Sequence, residues 1–285
     1  MMSQAQAEPR QKVVFVTGCS DGGIGGAIAG ELAAKGCLVY ASARSMTSML
    51  SLEGPCIRKL EVDVRDDESV QKAAKEIYQN EGRIDIVISN AGIGCTGPVL
   101  DITIEHARKA YDTNVFGLMR VVNHIVPRMA ERKSGLVVVI GSVRSEVSTP
   151  FTGIYSSSKA AVRTYTETLS MECQPLGINV MLVNPGSVTS NIVKNQGNTY
   201  RMPENSLYKS FLDPILHVMF QSQSKTYRSM QTTEFARRVA PKILSKKPPK
   251  YMAVGGATFL IRLLQWLPRQ WALQLLWLVL SRTKP

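Results

Sequence analysis

Seven short runs of continuous apolar residues punctuate the chain: Val13–Thr17, Leu38–Ala41, Leu60–Val64, Ile84–Ser89, Leu136–Ile140, Asn179–Val183 and Tyr251–Val254. Between most of them the apolar positions recur every three or four residues, the period of an amphipathic helix. A strand with one wet face alternates apolar and polar, whereas a strand covered on both faces reads as an unbroken apolar run. Runs such as Val13-Val14-Phe15-Val16 are of the second kind. The pattern therefore predicts an α/β fold: one doubly wound, Rossmann-type domain whose seven-stranded parallel sheet carries helices on both faces. That domain is expected over residues 12–256, after a loose polar tail at 1–11 and before an apolar helical extension at 257–285. A less regular stretch, 187–245, precedes the last strand.

Two helical patterns carry detail. One, about Glu105 to Arg132, contains a polar residue, Asn114, with Gly117 shortly after it, and Asn114 is equally readable as a satisfied helix asparagine or a site residue. The other runs from Ala257 to Leu280. There Leu260, Leu264, Leu267, Trp271, Leu275 and Leu278 form a seam at helical spacing, which Pro268 should break. The longest uncharged run within it, Gln270 to Ser281, is too short to span a bilayer. An interfacial anchor, a pocket flap, a subunit contact and plain core packing all suit it, and its three tryptophans and flanking arginines favour reversible attachment to a lipid surface.

Composition narrows the ligand. Apolar content of 44% and charged content of 20% are those of a globular protein, but the net charge is +12. The cations are scattered, and the densest cluster (Lys246, Lys247, Lys250) is broken by prolines. Phosphorylated ligands or an anionic membrane surface fit that distribution better than duplex nucleic acid, which is not expected as a partner. Five unpaired cysteines, Cys19, Cys37, Cys56, Cys95 and Cys173, suit a reducing, cytoplasmic setting and give no metal site. The polar start, Met1 to Lys12, reads as a tail and not a signal peptide.

The first strand ends in Thr17-Gly18-Cys19-Ser20-Asp21-Gly22-Gly23-Ile24-Gly25, and a helix is expected from Ala27 to Lys35. Glycines between a strand and a helix let backbone approach a pyrophosphate, which the free N–H groups of the helix start can bind. The same residues contain Gly18-Cys19-Ser20-Asp21-Gly22, the pattern of a hydrolase nucleophile elbow on Ser20. That rival needs a late histidine, and His106, His124 and His217 have no suitable flank. After the second strand no acid occurs from Cys37 to Leu52, and Arg44 stands where NADP(H) binders accommodate a 2′-phosphate. Asp63, after the third run, could accept from an adenine amino group, and Asn90-Ala91-Gly92 permits close approach of backbone to a cofactor.

Tyr155 and Lys159 lie four apart on a helix that continues to Glu172, so they share a face, and Ser142 arrives from a strand end thirteen residues upstream of Tyr155. A free phenol titrates near ~10, too high for efficient proton transfer at neutral pH. An ammonium one turn away should favour the phenolate, and a serine hydroxyl could hold a substrate carbonyl against the phenol.

Taken together, these pieces resemble the short-chain dehydrogenase/reductase family, in family order and at family spacings over residues 12–190. The resemblance implies Tyr155 as proton donor, Ser142 polarising a carbonyl, Lys159 on the nicotinamide ribose while lowering the Tyr155 pKa, and Asn114 holding a water of the proton relay. It implies NADP(H) contacts from Gly18, Ser20, Gly23, Ile24, Gly25, Arg44, Asp63, Val64, Asn90, Ala91, Gly92, Tyr155 and Lys159. Asn184-Pro185-Gly186-Ser187-Val188-Thr189 would lie along the nicotinamide, with Pro185, Gly186, Val188 and Thr189 in contact. Two departures stand out: the glycine loop has one residue more than the common form, and the usual Asn-Asn-Ala-Gly begins with Ser89. Within the family the chain is most similar to NADPH-dependent 1-acyldihydroxyacetone-phosphate reductases and related ketoreductases of lipid and secondary metabolism.

The resemblance implies reduction of a hydrophobic ketone or aldehyde (lipid-like, acyl, steroid or polyketide) by a homodimer or homotetramer. Peripheral contact with the endoplasmic reticulum or a lipid droplet follows from the C-terminal seam. Substrate choice should sit in 187–245, whose Met202, Tyr208, Phe211, Ile215 and Met219 are amphipathic and whose Arg201, Lys209, Lys225 and Arg228 could meet a phosphate or carboxylate. A cofactor-binding isomerase, cyclase or sensor would look similar, although a pure binding module has no need of Ser142, Tyr155 and Lys159.

Overall fold

Every residue of the first strand, Val13–Thr17 (β1), is buried, which is why its sequence has no polar alternation. The chain is described by a computed structural model covering residues 10–197, 200–223 and 228–281. Beside β1 run Leu38–Ala43 (β2), Ile57–Glu61 (β3), Ile86–Ser89 (β4), Gly135–Ile140 (β5), Ile178–Pro185 (β6) and, after a small pair formed by Val188–Thr189 (β7) and Met230–Gln231 (β8), the edge strand Tyr251–Val254 (β9). The seven-stranded order is β3-β2-β1-β4-β5-β6-β9, parallel throughout.

Helices cover both faces. On one lie Asp67–Glu81 (α2), Gly117–Glu131 (α4) and Gly153–Glu172 (α5), closing a core that contains Phe15, Ile77, Ile125 and Val162. Ile104–Tyr111 (α3) leads into α4. On the other face Ile24–Ala34 (α1) packs against Thr232–Ile243 (α8) over Ile28, Leu32, Ile88 and Phe235. Local chemistry sets the ends of α2: the Asp66 side chain accepts from Glu68 N, and Gly82 closes the helix at φ 72°. The strand order reverses between β1 and β4, and the carboxyl ends flanking that switch point, Thr17 and Ser89, open the crevice where doubly wound folds bind ligands.

Three expectations shift. The third strand is Ile57–Glu61, not Leu60–Val64, because this edge strand is only half covered, while Val62 and Val64 are buried in the loop that follows. The stretch 187–245 divides: Asn191–Gly197 (α6) and Leu212–Phe220 (α7) lie outside the main sheet, whereas α8 belongs to the core through Phe235, Val239 and Ile243. The C-terminal extension breaks at Pro268 into Thr258–Trp266 (α9) and Arg269–Leu280 (α10), but most of the apolar seam faces outward. Leu264 is buried, as are Ala272 and Leu280; Leu260, Leu267, Trp271, Leu275 and Leu278 are exposed. The α7–α10 contact, with Phe151, Phe211 and Trp277 stacked at centroid distances of 5.9 to 6.3 Å, selects a different stripe from the one periodicity suggests. Residues 1–9 of the expected tail lie outside the described residues.

Candidate active site

The ends of β1 and β4 are sewn together by one asparagine. Asn90 Nδ2 donates to the carbonyls of Thr17 and Gly18, both at 2.9 Å, and Thr17 Oγ1 accepts from the N–H groups of Asn90 (3.0 Å) and Ala91 (3.1 Å). Gly18 turns at φ +72°, and a methyl group there would lie 2.7 Å from Ala91 Cα. On Gly25 it would collide with Asn90 Nδ2. The additional residue of the loop is absorbed in the Asp21–Gly22 turn, where Gly22 has φ +69° and Asn191 Nδ2 donates to Asp21 O at 2.6 Å. Gly23 starts α1, which has neither a side-chain cap nor an acid in its first turn. The helix dipole and its first N–H groups thus face a backbone cradle that a side chain would fill, an arrangement suited to a pyrophosphate. Ser20 Oγ bonds Ser48 Oγ at 3.3 Å, and His124 is engaged by Asp67 at 3.0 Å.

Arg44 follows β2 and is exposed, as a residue reaching for a phosphate must be. Asp63 has a partner within the chain. The Arg65 side chain takes both its oxygens, Nε at 3.0 and 3.1 Å and Nη2 at 2.6 Å, and the Arg65 N–H adds a bond at 3.0 Å. Arg65 holds this carboxyl below the usual range, with a smaller pull from Arg44. A carboxylate offers about four acceptor positions, so the three Arg65 donors leave room for a further one such as an adenine amino group. Arg65 adds a second cation beside Arg44 that the sequence reading missed; its signal was an arginine two residues beyond an acid. Val64 is buried against Gly117, where a methyl would sit 2.8 Å from its side chain.

Ser142, after the end of β5, stands close enough to Tyr155 of α5 that its hydroxyl draws the phenol's pKa down. Lys159 is buried and donates to Ile140 O at 2.9 Å. A methyl on Gly92 would lie 3.2 Å from Asn114 Oδ1 and 3.6 Å from Lys159 Nζ, so the β4 loop closes directly on both side chains. The geometry therefore places Ser142, Tyr155, Lys159 and Asn114 around one crevice. Asn114 sits in a π-turn, Asp112–Phe116, that interrupts the long helix; its amide bonds Ile93 N (2.8 Å), Ile93 O (3.1 Å) and Ser158 Oγ (3.0 Å). Both its amide protons are thus used while its oxygen keeps a second lone pair, and a π-turn is a frequent mark of functional positions in helices.

The expected pull of Lys159 on the phenol does not dominate. Burial pushes Tyr155 above the usual phenol range, opposed by the neighbouring Ser142 hydroxyl and by the charge of Arg144. Burial also lowers the Lys159 ammonium to about 8. A low-dielectric site disfavours both charged forms, and this outweighs helix-face proximity. Arg144, two residues past Ser142, bonds Gln221 Oε1 at 2.8 Å and Thr149 Oγ1, and it went unremarked in the sequence.

Gly186 N donates to Val254 O at 2.8 Å, Val188 is buried, and Thr189 Oγ1 reaches Ser222 O at 3.4 Å, so Pro185 to Thr189 lines the crevice edge between β6 and β9. Arg201 is exposed and bonds its neighbour's carbonyl; Lys209 is exposed, Arg228 has φ +46°, and Lys225 lies outside the described residues.

The short chain dehydrogenase family model matches residues 12–201. A NADPH-dependent 1-acyldihydroxyacetone phosphate reductase of Schizosaccharomyces pombe is 31% identical over 240 residues, covering 83% of this chain and 79% of that one. A short-chain dehydrogenase of Penicillium ochrochloron is 34% identical over 254 residues, covering 87% and 88%. A solved short-chain dehydrogenase of Streptomyces avermitilis superposes with a TM-score of 0.76 at 28% identity, covering 89% and 91%.

Proposed function

Because the chain belongs to the short-chain dehydrogenase family, we propose that it is an NADPH-dependent carbonyl reductase acting on a hydrophobic ketone or aldehyde. The observation that carries this reading is the convergence of Ser142 and Tyr155, neighbours through their hydroxyls, with the buried Lys159 beside the end of β5. The residues present fit a phosphorylated dinucleotide: the glycine cradle and the α1 start for the pyrophosphate, Arg44 and Arg65 for a 2′-phosphate, and Lys159 with Pro185 to Thr189 for the nicotinamide ribose and ring. When bound, that cofactor supplies the hydride. Ser142 holds the carbonyl oxygen by its hydroxyl and keeps it in line with the phenol. Tyr155 gives its proton to that oxygen, and the raised pKa keeps the phenol protonated at neutral pH. Lys159, charged below about pH 8, stabilises the phenolate left behind. The π-turn at Asn114 opens main-chain positions beside Ser158 and Lys159 through which a water could return the proton.

Arg144 adds a preference. Its guanidinium acts on the Tyr155 phenol, so an acceptor carrying a phosphate or carboxylate near its carbonyl gains a charge partner there. The phosphate in the name of the fission-yeast relative's substrate agrees with this choice. The apolar groups of Phe151, Met202, Tyr208, Phe211 and Ile215, clustered beside α7 and α10, supply the wall for a long apolar chain. The test is NADPH oxidation against a panel of acyl ketones with and without a phosphate, steroids and polyketide ketones, with NADH alongside. Turnover with NADPH on the apolar phosphorylated members supports the reading. Cofactor binding without oxidation on any member would instead favour the isomerase or sensor alternative.

The outward seam supports reversible attachment to an anionic lipid surface. Trp266 is 89% exposed and Trp271 63%, with Phe259, Leu260 and Leu278 exposed beside Arg262 and Arg269. No helix among the described residues is long and apolar enough to cross a membrane. Replacing Trp266 and Trp271 together by serine should lower flotation with phosphatidylserine vesicles at least about tenfold, since each buried aromatic contributes ~1.5–3 kcal/mol; equal flotation would remove the attachment. Exposed Ile104, at the start of α3, and Phe116, at the end of the π-turn, support a subunit contact in a homodimer or homotetramer.

A further inference from the structure

The loop that follows Ser142 is tied to the C-terminal extension through one carboxylate. Ser142 N donates to Asn184 Oδ1 at 3.0 Å, and Asn184 is wholly buried. Asn184 Nδ2 in turn donates to Glu146 Oε1 at 3.0 Å and to Tyr251 Oη at 3.1 Å, while Tyr251 donates to the same Glu146 oxygen at 3.1 Å. The other oxygen, Glu146 Oε2, accepts from Gln265 Nε2 of α9 at 2.8 Å and from Arg163 at 3.5 Å, and Glu146 O accepts from Arg269 of α10 at 3.3 Å. Next in sequence, Val147 is buried with Leu264 and Ala272 of the same two helices.

A side-chain amide has a donating and an accepting end, and nothing in its shape tells them apart. A carboxylate only accepts. By presenting an acceptor to Asn184, Glu146 forces the donating end toward itself and the accepting end toward the Ser142 N–H. Were Asn184 reversed, its NH2 would face that N–H and leave a buried donor unsatisfied. Gly141 permits this close approach, since a methyl there would collide with Asn184 Oδ1.

We propose that Glu146 is a positioning residue that orients Asn184 and through it seats Ser142, so that α9 and α10 are part of the catalytic module and not an appendage to it. The inference rests on the carbonyl-reductase reading for its kinetic consequence, but its structural core does not. Glu146→Gln keeps the shape while offering one donor and one acceptor, and Gln265→Met removes only the α9 arm.

Two measurements separate the proposal from that reading. Hydrogen exchange of the Ser142 amide, followed by NMR on the full chain, should accelerate about tenfold in E146Q and less in Q265M as this bond is released. Under turnover, E146Q should lower kcat about tenfold, the lower end for partners that orient a reacting group, with KM for the carbonyl and Kd for NADPH unchanged. In a Ser142→Ala background the same substitution should have no further effect on kcat, because its influence runs through the serine. Unchanged Ser142 exchange in both variants, or an equal loss of kcat with and without the serine, overturns the proposal. A wild type that turns over no carbonyl removes the reductase reading and leaves the exchange result to decide the positioning role.

Discussion

Tyr155→Phe will lower kcat by about three orders of magnitude, within the 10²–10⁴ range that positioned proton transfer contributes, while Kd for NADPH stays within about twofold. The substitution removes a single oxygen, so the ring keeps its place on α5 and the crevice keeps its shape. What is lost is the proton that the carbonyl oxygen must receive as the carbon is reduced. Ser142 cannot replace it: its hydroxyl oxygen already accepts from Arg144 N at 3.2 Å, and a serine is a much weaker acid than a phenol. NADPH titration by fluorescence and steady-state kinetics on one responsive ketone check both halves. Wild-type turnover in this variant would sink the assignment of the proton donor.

Lys159→Met has the second largest effect, and its two consequences have opposite signs. Turnover should fall about 100-fold, the loss typical of removing a preorganised charge from a dry site. Stability of the cofactor-free protein at pH 7 should rise. Burial lowers this ammonium from 10.5 to about 8, so at pH 7 the folded state carries a charge it solvates poorly. A shift of that size costs about 3 kcal/mol, reduced by the bond to Ile140 O, worth about 1 kcal/mol, that the methionine forfeits. The sign follows from proton counts: between pH 8 and 10.5 the unfolded chain still holds a proton that the folded chain has released, so wild-type stability climbs with pH across this window. The advantage of the methionine variant should therefore be largest below pH 8 and shrink toward pH 10.5. Urea melts at pH 7 and pH 10 read it directly. A variant less stable than wild type at pH 7, or a difference that does not change with pH, would show that the ammonium is well solvated in the fold. For the wild type, kcat/KM should decline above about pH 8 as the ammonium discharges.

Much of the site was legible because it is written in local demands. A strand covered on both faces must be apolar throughout, which exposed β1, β4, β5 and β6; β3, at the edge, follows no such rule and was misplaced by three residues. Gly18 and Gly25 stand where a side chain would strike Ala91 or Asn90, so backbone geometry dictated their identity. Tyr155 and Lys159 share a helix, and the period of a helix needs no tertiary information. Arg144, Arg65 and Glu146 escaped notice because a charge in a loop is by default solvated, and only the segments folded against it show otherwise.

By itself, then, the sequence determined the layered architecture, through the periodicity of its apolar runs, and marked the glycine loop and the helix-spaced Tyr155 and Lys159 that the family resemblance joins to Ser142. The tertiary structure alone decided that Asp63 is held by Arg65, that burial rather than Lys159 governs the phenol, that the C-terminal seam faces outward, and that Glu146 links that extension to Ser142. Each of these depends on desolvation or on bonds between distant segments, as Glu146 with Gln265. No local pattern records which segments will meet, and the sign of an electrostatic effect is set by that meeting.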